Sequence, residues 1–173
     1  MNITIKPIGY VKNNIKQTTF QQDLDVSERK RQSQLKYKQI KQTLSELIIE
    51  PSYEDMMDGI EHFSHIVVIY WPHLLSDEQR SLRKVHPMGR KDLPIQGIFA
   101  TRSPGRPNSI LISTVELLER QKNILHVKGL EALDGSPILD IKTHIEISDQ
   151  VTNPVFPEWV HQIKRELQNE TEH

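Results

Sequence analysis

The chain has 173 residues, no cysteine and a formal net charge of −1, and 36% of its residues are hydrophobic. That length suffices for one domain with a buried core, while a disulfide framework, a thiolate metal site and a thiol nucleophile are excluded. No apolar run approaches the roughly 20 residues needed to cross a bilayer, and the N-terminus lacks a charged-then-apolar leader pattern, so the expectation is a soluble cytoplasmic protein with no membrane partner.

In chain order, residues 3–11 read as a strand, with Pro7 placing it at an edge or bulge. Residues 12–45 are rich in Gln, Lys and Ser; Leu35, Ile40, Leu44 and Leu47 are only loosely helical in spacing, which suits a partial helix or a mobile arm. A short strand is expected at 45–50. Ser52 and Asp55 make a capping-box pattern for a brief helix closed by Gly59. The β-branched run at 63–71, stopped by Pro72, is the clearest strand. Ser76 and Gln79 suggest a capped helical turn, and 83–94 a polar loop holding Pro87, Gly89 and Pro94. Further strands are expected at 95–101, 110–118, 124–130 and 138–147. Pro157 and Glu158 open a terminal helix with Trp159, Ile163 and Leu167 on one side.

Many short strands with few helices between them predict a mainly β fold, a small antiparallel barrel with a few short helices and a C-terminal helix. Residues 1–150 are assigned to the barrel domain, with 12–45 as a variable, partly helical insertion, and 151–173 to a helical tail. A strand followed by Gly-x-Gly-x-x-Gly is missing, as is a Walker-type loop, which argues against dinucleotide and triphosphate cradles. Charge is uneven. Arg29, Lys30, Arg31, Lys36, Lys38 and Lys41 crowd one segment, Arg83, Lys84, Arg90 and Lys91 another, and 166–172 is acidic. Such basic patches can meet phosphates through counterion release or form solvated helix faces.

Three constellations can carry chemistry. In Ala100-Thr101-Arg102-Ser103-Pro104-Gly105-Arg106-Pro107-Asn108, two prolines and a glycine pin a loop that bears two arginines, which suits a carboxylate ligand as well as an ordinary tight turn. Leu133-Asp134-Gly135-Ser136-Pro137 carries the Asp-Gly hairpin signal; read functionally, it offers free backbone amides and one carboxylate for ribose hydroxyls or an ammonium. His62, His65, His73 and His86 share one stretch, but their spacing gives no tight metal-ligand pair, so packing or a ligand contact is preferred and no metal is assigned.

Taken together, His62-Phe63-Ser64-His65-Ile66-Val67-Val68, Tyr70-Trp71-Pro72-His73, the run from Gly97 to Asn108, and Leu133-Asp134-Gly135-Ser136-Pro137-Ile138-Leu139-Asp140-Ile141-Lys142 occur in order, opened by Pro7-Ile8-Gly9-Tyr10-Val11. Over about residues 5–147 the sequence resembles the TsaA-like/TrmO family. That resemblance implies an antiparallel barrel pairing into a homodimer, with S-adenosyl-L-methionine as cofactor bound near the subunit boundary. It also implies methyl transfer to the exocyclic amine of threonylcarbamoyladenosine beside the anticodon of transfer RNA. A small-molecule acceptor, or a cofactor-binding module without turnover, are the alternatives.

Carried over by position, Pro72, His73, Arg102, Leu111, Asp134, Gly135, Ser136 and Pro137 line the cofactor site. Arg102 would offset the methionine carboxylate and Asp134 accept from ribose or the ammonium. Arg106 and Asn108 would shape the loop or touch the acceptor. Asp134, His73 and Tyr70 are candidates for taking a proton, and the catalytic residue is unassigned. The sequence departs from its family in three places. Ser109-Ile110-Leu111 stands where members usually have Pro-Ile-Gly, the Pro-Arg-Gln motif is absent from 18–23, and the segment after the barrel is shorter than the C-terminal domain of the longer members.

Overall fold

The computed structural model describes residues 3–16 and 24–168. Period-two alternation builds its centre. In β2 (Leu44–Ile49), Ser45, Leu47 and Ile49 point inward while Leu44 and Glu46 point out; β3 (His65–Tyr70) buries Ile66, Val68 and Tyr70 in the same way. With β1 (Gly9–Lys12), β6 (Leu111–Gln121), β7 (Ile124–Lys128) and β8 (Pro137–Thr143) they close a barrel in the order β1-β2-β7-β6-β3-β8. Every pairing is antiparallel. Leu47, Ile66, Val68, Leu125, Val127 and Ile138 are fully buried inside it, and their removal from water is the main stabilising term. Register slips between Ile69 and Tyr70 and between Leu117 and Glu119 bend the sheet so that it can close.

Because neighbours alternate in direction, β1, β3 and β7 end at the same rim where β2, β6 and β8 begin. The long connections 13–43, 71–110 and 129–136 all leave that rim. The opposite rim carries the 50–64 connection and the two-residue 122–123 hairpin.

Several expected elements change extent. The strand expected at 3–11 shrinks to Gly9–Lys12: Ile3 and Ile5 stay exposed, and pairing starts where Gly9 lies so close to β2 that a Cβ would meet Ile48 O at 2.2 Å. The strand expected at 95–101 survives only as β5 (Gln96–Gly97), paired with β4 (Lys84–Val85); Ile98–Ala100 coils into a 3-10 turn. The segment 51–62 forms three 3-10 turns without side-chain caps. The strand expected at 138–147 stops at Thr143, and α3 (Glu146–Asp149) follows. In contrast, α2 (Asp77–Arg80) has the full Ser76/Gln79 capping box.

The Gln/Lys-rich segment contains α1 (Val26–Gln42), capped by Asp25, whose carboxylate accepts from the Glu28 N–H at 2.9 Å. Its buried residues are Arg29, Ser33 and Gln34. Gln34 donates to the Glu166 carbonyl of α4 (Glu158–Gln168) at 2.8 Å, and Lys30 pairs with the Glu166 carboxylate at 3.2 Å. Glu166 also pairs with Arg90, a nearly buried guanidinium shared with Asp92. The Arg90 hydrogen bond holds the Glu166 carboxyl below its usual range. On α4, Trp159, Ile163 and Leu167 are half-buried. Among the described residues, no helix is long and apolar enough to cross a membrane.

Candidate functional site

Three neighbouring strand ends, of β6, β3 and β8, form one arc of the long-loop rim. Tyr70, the last residue of β3, stands opposite Leu111 at the start of β6 and Ile138 near the start of β8. Trp71, Pro72 and His73 follow directly, and the Trp71 N–H donates to the Pro137 carbonyl at 2.9 Å. His73 Nδ1 lies 3.4 Å from Ser136 Oγ. Gly135, at φ +76°, sits where a Cβ would come 3.7 Å from His73 Nε2. Pro72, His73, Leu111 and 134–137, nominated on sequence, thus come together.

Arg102 joins the arc from the 71–110 connection. Its Nη2 donates to the Ile112 carbonyl in β6 at 2.7 Å, leaving other N–H donors of its five in an exposed position. The loop that carries it is braced by Arg106, which donates to the carbonyls of Ser103 and Thr101. Arg106 therefore shapes the loop. Gly105 presses this loop onto α2, so closely that a Cβ would meet Gln79 O at 2.6 Å. From α2, Arg80 donates to the Pro72 carbonyl at 2.9 Å and lies 4.6 Å from the Trp71 ring centroid. Its Nη1 is buried without a hydrogen-bond partner among the described residues. Contacts thus run unbroken from the arginine loop through α2 and Pro72–His73 to the Asp-Gly corner.

That corner is not a hairpin. β7 sits between β2 and β6, and β8 between β3 and β1, so 129–136 is a crossover. Nor are its amides free. Asp134 N–H donates to Ile15 O at 2.8 Å, Gly135 N–H to Val11 O at 2.8 Å and Ser136 N–H to Leu133 O at 3.0 Å. Asp134 Oδ1 accepts from the Asn13 N–H at 3.0 Å, and Asn13 Nδ2 donates to Ala132 O and Ser45 Oγ. The polar capacity this corner does not spend on its own backbone lies in its side chains.

Tyr70 points into the barrel mouth, with its hydroxyl 3.4 Å from Ser113 Oγ. Burial, reinforced by the Glu131 carboxylate, pushes its phenol well above the usual range, against a smaller pull from Arg102. Tyr70 keeps its phenol proton at neutral pH, and either hydroxyl can donate in its contact with Ser113. Leu111 is half-buried against the core. The four histidines disperse: His62 is exposed, His65 meets His144 edge-to-face with ring centroids 6.4 Å apart, His86 Nδ1 meets Leu93 O at 2.8 Å, and of the four only His73 reaches the arc. Asn13, Arg80, Ser113 and Glu131 went unnoticed in the sequence, although the Ser76/Gln79 capping box could have flagged Arg80 as the end of an ordered turn. The missing Pro-Arg-Gln motif falls on 18–23, outside the described residues.

A closed six-stranded antiparallel barrel defines the class of molecule. The chain belongs to the tRNA-methyltransferase O N-terminal domain family, whose model matches residues 17–150. It is 40% identical over 151 residues to a "Probable S-adenosyl-L-methionine-binding protein" of Methanothermobacter thermautotrophicus, covering 87% of this chain and 96% of that one. To an "S-adenosyl-L-methionine-binding protein" of Archaeoglobus fulgidus it is 38% identical, covering 81% and 88% respectively. A crystal structure of TrmO superimposes with a TM-score of 0.65 at 27% identity, over 91% of this chain and 64% of that one. The chain thus spans less than two thirds of that solved protein.

Proposed function

We propose that this chain binds S-adenosyl-L-methionine on the β6–β3–β8 arc and transfers its methyl group to the exocyclic amine of threonylcarbamoyladenosine beside the anticodon of transfer RNA, acting as a homodimer. The observation that carries the reading is the convergence of Pro72, His73, Arg102, Leu111 and Asp134 to Pro137 on adjacent strand ends. The arc also suits such a guest chemically. Arg80, whose Nη2 is spent on the Pro72 carbonyl, has its buried Nη1 without an acceptor among the described residues.

In this reading Arg102 takes the methionine carboxylate with the N–H groups it does not spend on Ile112. Asp134, with one oxygen committed to Asn13, turns the other to a ribose hydroxyl. The bound cofactor supplies an already activated methyl group. What remains for the chain is to align the acceptor amine and to keep water out. An adenine amine is a weak nucleophile, so a group that takes its proton helps; Asp134, His73 and Tyr70 are the candidates for that role. Phe99, 80% exposed, and Ile112, both near Arg102 in the chain or by contact, support pairing of two copies beside the site. Light scattering should then return twice the 20.2 kDa chain mass.

Mass spectrometry of nucleosides in transfer RNA from a deletion strain tests the acceptor. Loss of the methylated nucleoside, restored by the gene, is the expected result; an unchanged profile from a protein that binds the cofactor would overturn it. A second reading, a binding module without turnover, is favoured by the names of the archaeal relatives. Steady formation of S-adenosylhomocysteine with transfer RNA would reject it.

A further inference from the structure

α1 carries Arg29, Lys30, Arg31, Lys36, Lys38 and Lys41 against a single carboxylate, Glu28, in a chain whose net charge is −1. A helix that merely faces water intersperses both signs, because like charges three and four residues apart repel. This one concentrates a single sign, and its faces are used differently. One side, through Lys30 and Gln34, is docked on α4. On another, Lys36 is half-buried, and burial lowers its ammonium pKa against the opposing pull of the Glu131 carboxylate. The remaining face is exposed, and on it Arg31 pairs with Glu28 of the same helix at 3.2 Å. Arg31, Leu35 and Lys38, four and three residues apart, form an exposed stripe, and beside it Lys41 lies 5.7 Å from the centroid of the exposed Tyr37 ring.

The connection that holds α1 leaves the same rim as the arginine loop and the Asp-Gly corner. A polyanion lying on this face would therefore reach the mouth without crossing the barrel. Leu35 alone gives the stripe apolar character, which falls short of the continuous apolar face that a membrane-surface helix buries. Cations flanking an exposed aromatic ring match phosphates flanking an unstacked base.

We propose that the outer face of α1 is the docking surface for a folded RNA, with Arg31, Lys38 and Lys41 on its phosphates and Tyr37 available for stacking. The proposal rests on the reading of transfer RNA as acceptor and adds the surface that holds it.

The test compares the full-length chain with Arg31→Glu/Lys38→Glu/Lys41→Glu. Anisotropy of labelled transfer RNA is read across a salt series, and cofactor affinity is read by calorimetry. The variant should bind RNA at least about tenfold more weakly, with a salt slope smaller by roughly 2 to 3, while cofactor affinity stays unchanged. RNA binding equal to that of the wild type overturns the surface assignment alone. Failure of the wild type to bind transfer RNA overturns the acceptor reading, and this proposal with it. Equal affinity for heparin and transfer RNA overturns the claim of a folded-RNA partner. Should the Glu variant fail to fold, the corresponding triple Gln variant decides by the same slope, since Gln keeps helix propensity.

Discussion

The two rims of the barrel hold their loops by different means. At the short-loop rim one side chain does most of the tying: Arg120 donates to the carbonyls of Glu54 and Met57 and to the carboxylates of Asp58 and Glu61, and so fixes the 3-10 turns of 51–62. At the long-loop rim fixation is spread over backbone and small residues, among them the corner amides, Gly105 against Gln79, and Trp71 on Pro137. Several polar atoms there keep unspent capacity, Arg80 Nη1 being the plainest. A rim whose polar groups satisfy one another serves stability. A rim that keeps donors in reserve on a braced frame can serve a ligand.

Substitutions can break this contrast. Leu47→Ala, in the barrel interior that both rims share, should cost about 2 to 5 kcal/mol in denaturant titration, with no change in cofactor affinity for the folded fraction. Arg102→Ala should weaken cofactor binding by about 1.5 to 3 kcal/mol in calorimetry and leave stability nearly untouched. Unchanged affinity would remove Arg102 from the site. Gly105→Ala drives a Cβ into Gln79 O; a loss of about 1 to 3 kcal/mol of stability should come with weaker cofactor binding, because the arginine loop leaves α2.

Arg120→Ala, at the other rim, should lower the melting temperature by less than Leu47→Ala does, since its carboxylate partners are exposed. It should not move cofactor affinity. Acidification gives the smallest effect. The folded-state pKa of Glu166 lies below the ordinary 4.5, so its contribution is complete above about pH 4.5 and disappears as pH falls through the folded value. Glu166→Gln should flatten that acid limb of the stability profile.

Much of the barrel was legible because inward β-branched and leucine side chains recur every second residue. β3 and β7 are the clearest cases, and α2 was announced by its capping box. α1 resisted because its buried residues, Arg29, Ser33 and Gln34, are polar rather than an apolar stripe; Ser33 is satisfied by its own helix and Gln34 by α4. Residues 95–101 include the β-formers Ile95, Ile98, Phe99 and Thr101, yet the turn at Ile98–Ala100 leaves Phe99 exposed and spares only two paired residues. The Asp-Gly corner misled for a related reason: its local chemistry makes a tight turn, but strand order, set by non-local pairing, decides whether that turn closes a hairpin. For the site, the arginine loop stood out on local composition, and Pro72–His73 entered through the family resemblance alone. Asn13 and Arg80 did not, because each acts through a backbone contact that only the fold creates.

Hydrogen–deuterium exchange of the full chain with and without S-adenosylhomocysteine reads both rims at once. Protection of 71–75, 101–108 and 133–137, with 51–62 and 120–123 unchanged, is the predicted result. Protection confined to 51–62, or none on the β6–β3–β8 arc at saturating ligand, would contradict the assignment of that arc as the cofactor site.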